Sequence, residues 1–195
     1  MCRRFESAPG HDAWWTCIDW RNRDIPDDRV EGATPRAERQ TALPARSAVS
    51  DPDPYDLDRF VRAQQDTYAR ALSELRAGRK QTHWMWFIFP QIAGLGTSPT
   101  AQRYALRDAD EAAAYLHHPV LGPRLVEASD AALTADVASA RALLGTPDDL
   151  KLRSSATLFA AVAPAGSVFE TLLERFYEGA PDDRTVRLLQ GRNAR

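Results

Sequence analysis

The chain has 195 residues, 44% of them hydrophobic and 27% charged, with a formal net charge of −2. This length admits one ordinary domain, or one smaller domain with an appendage, and excludes two large ones. The composition is that of a globular chain; the near-neutral charge argues against a nucleic-acid partner, and no stretch approaches the ~18 apolar residues of a membrane span.

The first residues, Met1-Cys2-Arg3-Arg4-Phe5-Glu6, lack the apolar run of a secretory signal, and the expected location is cytoplasmic. Residues 1–50 hold eight arginines, eight acidic residues and prolines at 9, 26, 35 and 44, with no sustained period. Such a composition rarely offsets its ordering entropy, so a disordered or loosely ordered extension is expected. It carries Trp14, Trp15 and Trp20, which fit a short adhesive turn or a partner-binding peptide, and both cysteines, Cys2 and Cys17, which form no disulfide framework. Asp51-Pro52-Asp53-Pro54 marks the border with a domain over 51–190, because each residue before a proline is pushed out of the α region.

From Asp56 onward the period is helical. Asp56 is placed to cap a helix whose Leu57, Phe60, Val61, Tyr68, Leu72 and Leu75 form one apolar stripe, with Gly78 as its stop. Asp108-Ala109-Asp110-Glu111 resembles a capping box leading a helix through Tyr115 and Leu116. Pro119 opens the next helix, which buries Leu121, Leu125 and Ala132. A helix from Val137 to Leu144 ends at Gly145. Thr146-Pro147-Asp148-Asp149 then supplies a cap, a first-turn proline and acids favoured by the macrodipole, for a helix running to about Ala163. Val168, Phe169, Leu172, Leu173 and Phe176 repeat at helical spacing up to Gly179, and Asp182 or Asp183 opens a last helix. The fold class expected is all-α, a single compact domain of six to eight short helices.

The most unusual stretch is His83-Trp84-Met85-Trp86-Phe87-Ile88-Phe89-Pro90-Gln91, six large apolar residues bracketed by polar ones. Exposed, it would invite aggregation, so it belongs inside, and its brackets His83 and Gln91 are expected to be drawn inward and to need partners. Gly94-Leu95-Gly96 does not continue into a dinucleotide fingerprint, since Pro99 stands where the third glycine would fall. A turn in which Gly94 and Gly96 take positive φ, with Thr97 and Ser98 as donors, would make either a small anion nest or an ordinary loop.

Lysine usage is sharper. The chain has 23 arginines and two lysines, Lys80 and Lys151, and a retained lysine suggests a position where a fork-shaped guanidinium would not serve. Lys151, Ser155, Leu158 and Val162 share one helix face, so a charge and a hydroxyl continue an apolar stripe. Gln64 likewise sits between Phe60 and Tyr68. These conflicts suggest that Gln64, Tyr68, His83, Gln91, Lys151 and Ser155 converge on one aromatic-walled pocket. The alternative is an internal network that only specifies the core. The signatures of zinc hydrolases, of Cys-x-x-Cys sites, of nucleophile elbows and of phosphate loops are missing, and no metal or cofactor is implied. His117 and His118 point apart, with His118 at a helix start, and Asp148 and Asp149 read as first-turn acids.

The segment from Gly78 to Gln91 with Gly94-Leu95-Gly96-Thr97-Ser98 resembles the signature of the domain of unknown function 1810 family. Phe60-Val61-Arg62-Ala63-Gln64, the stretch from Tyr115 to Gly122, and Asp149-Leu150-Lys151 with Ser154-Ser155 agree with it. The resemblance covers about residues 53–189 and implies a single, mainly helical domain without an established reaction. It matches Lys80, His83, Gln91, His118, Lys151 and Ser155 to motif positions and assigns them no role. The family pattern has methionine where this chain has Ala156, which removes volume beside the expected pocket.

Two functional readings follow. In one, a metal-independent enzyme acts on a small anionic or nucleotide-like molecule, with Trp84 or Trp86 as a flat face, Lys80 and Lys151 countering charge, and His83 moving protons. In the other, a non-catalytic module binds a metabolite or a protein segment. Homo-oligomerisation stays open.

Overall fold

A computed structural model describes residues 53–193, so the expected extension over 1–50 lies outside the described residues. Ten helices follow in chain order: α1 (Asp58–Gln64), α2 (Tyr68–Arg76), α3 (Met85–Ile88), α4 (Pro99–Arg103), α5 (Ala109–His117), α6 (Leu121–Thr134), α7 (Ala140–Leu144), α8 (Asp148–Ala160), α9 (Val168–Tyr177) and α10 (Asp183–Asn193). Among the described residues no strand forms, and the isolated parallel bridge is Ile92 to Leu106. None of these helices is long and apolar enough to cross a membrane.

The count exceeds six to eight for local reasons. The long first helix is interrupted after Gln64, where Asp66 and Thr67, residues that compete for backbone hydrogen bonds, intervene. Its stripe nevertheless survives the break, with Leu57, Phe60, Leu72 and Leu75 all buried. The apolar run adds the one-turn α3, and Ser98 caps the short α4 by accepting from the Ala101 amide at 3.2 Å.

Several start and stop signals act through different atoms than the pattern suggests. Asp56 has φ +49° and caps nothing; the Asp53 carboxylate takes the Asp58 amide at 3.0 Å instead. Thr146 does not cap α8, whose N-cap is Pro147 after a cis peptide bond. At α5 half of the capping box forms: Asp108 Oδ1 accepts from the Glu111 amide at 2.9 Å. The Glu111 carboxylate accepts from Arg107 N and Arg59 Nη2 rather than from the cap residue. His118 Nδ1 accepts from the amides of Val120 and Leu121, both at 3.2 Å, so this histidine does start α6. Gly78, at φ +70°, ends α2 as expected, and a Cβ there would stand 3.0 Å from Val137 Cγ1.

Helix α8 is the central element, packed against α5, α7, α9 and α10. Its Phe159 links Tyr115 of α5 to Phe169 of α9, with ring centroids 5.6 and 5.4 Å apart, and Phe60 meets Tyr115 edge-on at 5.0 Å. These rings form the middle of the core. Trp84 is also fully buried but anchored elsewhere: its Nε1 donates to Glu74 Oε2 at 2.7 Å.

Glu74 organises the whole approach to the apolar run. Its carboxylate also accepts from the amides of Gln81 (2.8 Å) and Thr82 (3.0 Å) and from the Thr82 hydroxyl (2.7 Å). Burial alone would raise this carboxyl above its ordinary 4.5, but the donated bonds outweigh it and bring the group to about 2. Because the folded-state value is the lower one, the stabilisation is complete above pH about 4.5 and is lost as pH falls toward about 2. We expect Glu74→Gln to lose roughly 2–4 kcal/mol at pH 7, since an amide NH₂ would face donors. Urea unfolding should show the gap between wild type and variant closing as the pH is taken from 7 to 2.5; a constant gap would contradict this account.

Candidate functional site

The two lysines of the chain meet on one carboxylate. Lys80 Nζ lies 2.7 Å from Asp148 Oδ2, and Lys151 Nζ lies 2.6 Å from Asp148 Oδ1. Each ammonium also sits over an indole: Lys80 is 5.2 Å from the Trp84 ring centroid and Lys151 is 4.6 Å from that of Trp86. Both are compact charges on flexible stems, which suits stacking on a ring while sharing one acceptor. Lys80 reaches this point because its amide donates to Leu143 O at 2.8 Å, pinning the α2–α3 loop to the end of α7. Lys151 reaches it from one turn into α8, three residues after Asp148.

Beside this triad opens a cleft of about 460 Å³. Trp86 and Gln91 line it from the apolar run; Leu95, Gly96, Thr97, Ser98 and Ala101 from the following loop and α4; Pro147, Leu150, Lys151, Arg153 and Ser154 from α8; and Asp182 and Arg184 from the start of α10. Gly96 has an ordinary negative φ, unlike the expectation, and is required for a different reason. A Cβ there would come within 2.5 Å of the Ala101 Cβ and push α4 away. Gly94, at φ +103°, does take the left-handed region. Ser98 is occupied as a helix cap, so the expected nest of Gly94, Gly96, Thr97 and Ser98 does not form as such. The Gln91 side chain makes no hydrogen bond among the described residues and faces the cleft; its carbonyl accepts from Leu106 N at 2.9 Å.

Gln91, Lys151 and Trp86 therefore meet, and the other expected members are elsewhere. Gln64 is buried and belongs to the core: its Nε2 donates to Phe87 O (2.7 Å) and Tyr115 Oη (3.0 Å), and its Oε1 accepts from Arg124 at 3.3 Å. The internal-network alternative is correct for this residue. The Tyr68 hydroxyl bonds Arg124 O at 3.0 Å and Glu127 Oε2 at 2.6 Å; burial, then the Glu127 carboxylate, push it well above the ordinary tyrosine value. His83 is exposed and outside the cleft, contrary to the inward pull expected of it. An apolar run constrains its own side chains, whereas Trp84 and not its neighbour carries the anchor to Glu74. Ser155 is fully buried, its Oγ without a hydrogen-bond partner among the described residues, and Ser154 lines the cleft in its place. Lys80 and Trp84 do not line the cleft; Lys80 meets the lining residue Lys151 on Asp148. The wall contains one aromatic ring, Trp86. Ala156 is also buried and does not line the cleft, so its missing volume falls in the core.

Asp148, Arg153, Asp182 and Arg184 were not anticipated as site residues. For Asp148 the signal was present in its i,i+3 spacing to Lys151; its N-terminal position on α8 offered a simpler explanation that hid it. Nothing in the sequence brings α10 to α8. Arg153 donates to Ala180 O at 3.0 Å, and Asp182 Oδ2 accepts from the amide and hydroxyl of Thr185 at 2.8 and 2.7 Å. Among the described residues no three His, Cys, Asp or Glu side chains are grouped to hold a metal ion.

Burial by itself would raise the Asp148 carboxyl, but hydrogen bonds from Lys151 and Lys80, together with their charges, hold it below the ordinary 3.8. Its contribution is thus complete above pH about 3.8 and is lost as pH falls through the depressed value. We expect a carbon-detected NMR titration to place the Asp148 midpoint below 3.8 in the wild type and to move it upward in Lys151→Met. Asp148→Asn should cost on the order of 2 kcal/mol in chemical denaturation at pH 7. An unshifted midpoint in Lys151→Met would show that the pair does not form in solution.

The chain is similar to the conserved hypothetical protein Rv1873 from Mycobacterium tuberculosis: the crystal structure of that protein matches with a TM-score of 0.69 and 51% identity, over 71% of this chain and 99% of that one. No curated protein matches the chain. The family model described as "Protein of unknown function (DUF1810)" matches residues 54–189, the helical region together with the loop that carries Trp86, Gln91 and Gly96. The chain belongs to this family.

Proposed function

We propose that the cleft binds a small anionic molecule with a planar ring, of the nucleotide-like class, and that the protein acts by binding it. The observation that carries this is local charge. Lys80, Lys151, Arg153 and Arg184 stand in or directly behind the cleft against the carboxylates of Asp148 and Asp182, in a chain whose formal net charge is −2. These four cations outnumber the two carboxylates, and a concave surface with an excess of one sign focuses the field more than the chain average does. Trp86 supplies apolar ring surface beside those cations, and Gln91 and Thr97 add uncommitted polar groups. Binding is favoured over turnover because the proton carrier expected, His83, lies outside the cleft. The lining hydroxyl of Ser154 is engaged as a donor to Leu150 O at 3.2 Å, without a base beside it.

A ligand that binds only the folded state raises its apparent stability. In thermal-shift titrations of the full chain with AMP, GMP, UMP and CMP, we expect at least one nucleotide to raise Tm in a concentration-dependent way, and inorganic phosphate alone to do so less. Trp86→Ala and Lys151→Met should each weaken the response about tenfold, and His83→Gln should leave it unchanged. Salt at 0.5 M should shrink it, as expected for charge attraction at a partly open site. A flat response to all four nucleotides overturns the proposal.

A further inference from the structure

We infer that the ligand carries at least two anionic groups, a diphosphate or its equivalent, and that the second is held by Arg184 and Arg187 of α10. This rests on the reading of the cleft as a nucleotide-like site. Next to the cleft lies a smaller hollow of about 210 Å³ lined by Gly94, Arg184, Arg187 and Leu188. The two hollows share one residue, Arg184. A ligand in the cleft that extends past Arg184 therefore meets the second hollow.

The grouping of two unpaired guanidiniums around one hollow points to an external partner. Most other arginines are committed, among them Arg59 and Arg107 to Glu111, Arg76 to Glu127, Arg124 to Gln64, Arg141 to Asp149 and Arg175 to Ala135 O, while the exposed Arg70 and Arg79 line neither hollow. The side chains of Arg184 and Arg187 have no hydrogen bond, ion pair or ring contact among the described residues. Three apart on one helix, they are neighbours of like sign, an arrangement that is unfavourable until an anion bridges it. Guanidiniums suit phosphoryl oxygens through paired N–H donors. Of the two carboxylates that open α10, Asp182 is held by Thr185, and Asp183 forms no ion pair with either arginine among the described residues. Gly94 contributes no side chain to the hollow and exposes backbone at φ +103°, which permits close approach of a bulky oxyanion.

Calorimetric titration of the full chain with AMP, ADP and pyrophosphate tests this. We expect ADP to bind about tenfold or more tightly than AMP, with a steeper salt dependence. Arg187→Gln should remove the ADP advantage while AMP affinity stays within about twofold, Arg184→Gln should weaken both, and Arg70→Gln, at an exposed arginine distant in sequence, should change neither. Far-ultraviolet circular dichroism checks that each variant is folded. Equal affinities for AMP and ADP, or an ADP advantage that survives Arg187→Gln, would overturn the second subsite while leaving the cleft proposal standing. Failure of all three ligands to bind would overturn this inference, whereas the cleft proposal falls only with a flat response to all four nucleotides.

Discussion

The carboxylate of Asp148 is the point on which the arrangement of the cleft depends. It receives both lysines of the chain, and each lysine lies over one of the two indoles of the apolar run. Remove that acceptor and Lys80 is left at 9% side-chain exposure with its charge unanswered, and Lys151 loses what holds it above Trp86. Breaking such a pair by deleting one partner is far more destabilising than the pair's own net contribution, because the orphaned charge stays desolvated. The same carboxylate joins the α2–α3 loop to the first turn of α8, so the charge cluster also fixes α8, which walls the cleft, against the loop that stands behind it.

Three other carboxylate or amide hubs divide the remaining work. Glu74 gathers the loop before α3, Glu111 gathers Arg59 and Arg107 at the start of α5, and Gln64 gathers Phe87 O and Tyr115 in the core. Each satisfies groups that burial would otherwise leave costly, and each is closed: its partners are all internal. The cleft differs in kind. Gln91, Thr97, Arg184 and Arg187 have side-chain donors unused among the described residues, and they line the two adjoining hollows with Trp86, Gly94 and Gly96. Closed hubs specify one packing; an open set of neutral and cationic donors is what the proposed anionic ligand would engage.

The contrast explains which site residues were legible in advance. Lys151, Gln91 and Trp86 stood out because a rare residue type, a polar bracket and an apolar run are local properties of the chain, and all three line the cleft. The same logic chose Gln64 and Tyr68 correctly as polar intruders on an apolar stripe, but their partners come from α5 and α6, which close the network internally. His83 failed because sequence adjacency to a buried segment says nothing of direction: Trp84 turns inward to Glu74 and its neighbour is left outside. Ser154 replaced Ser155 for a related reason, a difference of about 100° around the helix axis.

By itself the sequence determined the all-α class, most helix positions, the glycine stops and the burial of Trp84, Met85, Ile88 and Phe89 in the aromatic run, since these follow from periodicity and from local backbone preferences within a few residues. Tertiary structure alone decided that Lys80 and Lys151 share Asp148, that Gln64 is sealed inside, and that α10 brings Arg184 to the cleft beside α8. Those outcomes depend on contacts between residues separated by tens of positions, whose energies are set by packing geometry and local dielectric, and no spacing along the chain encodes either.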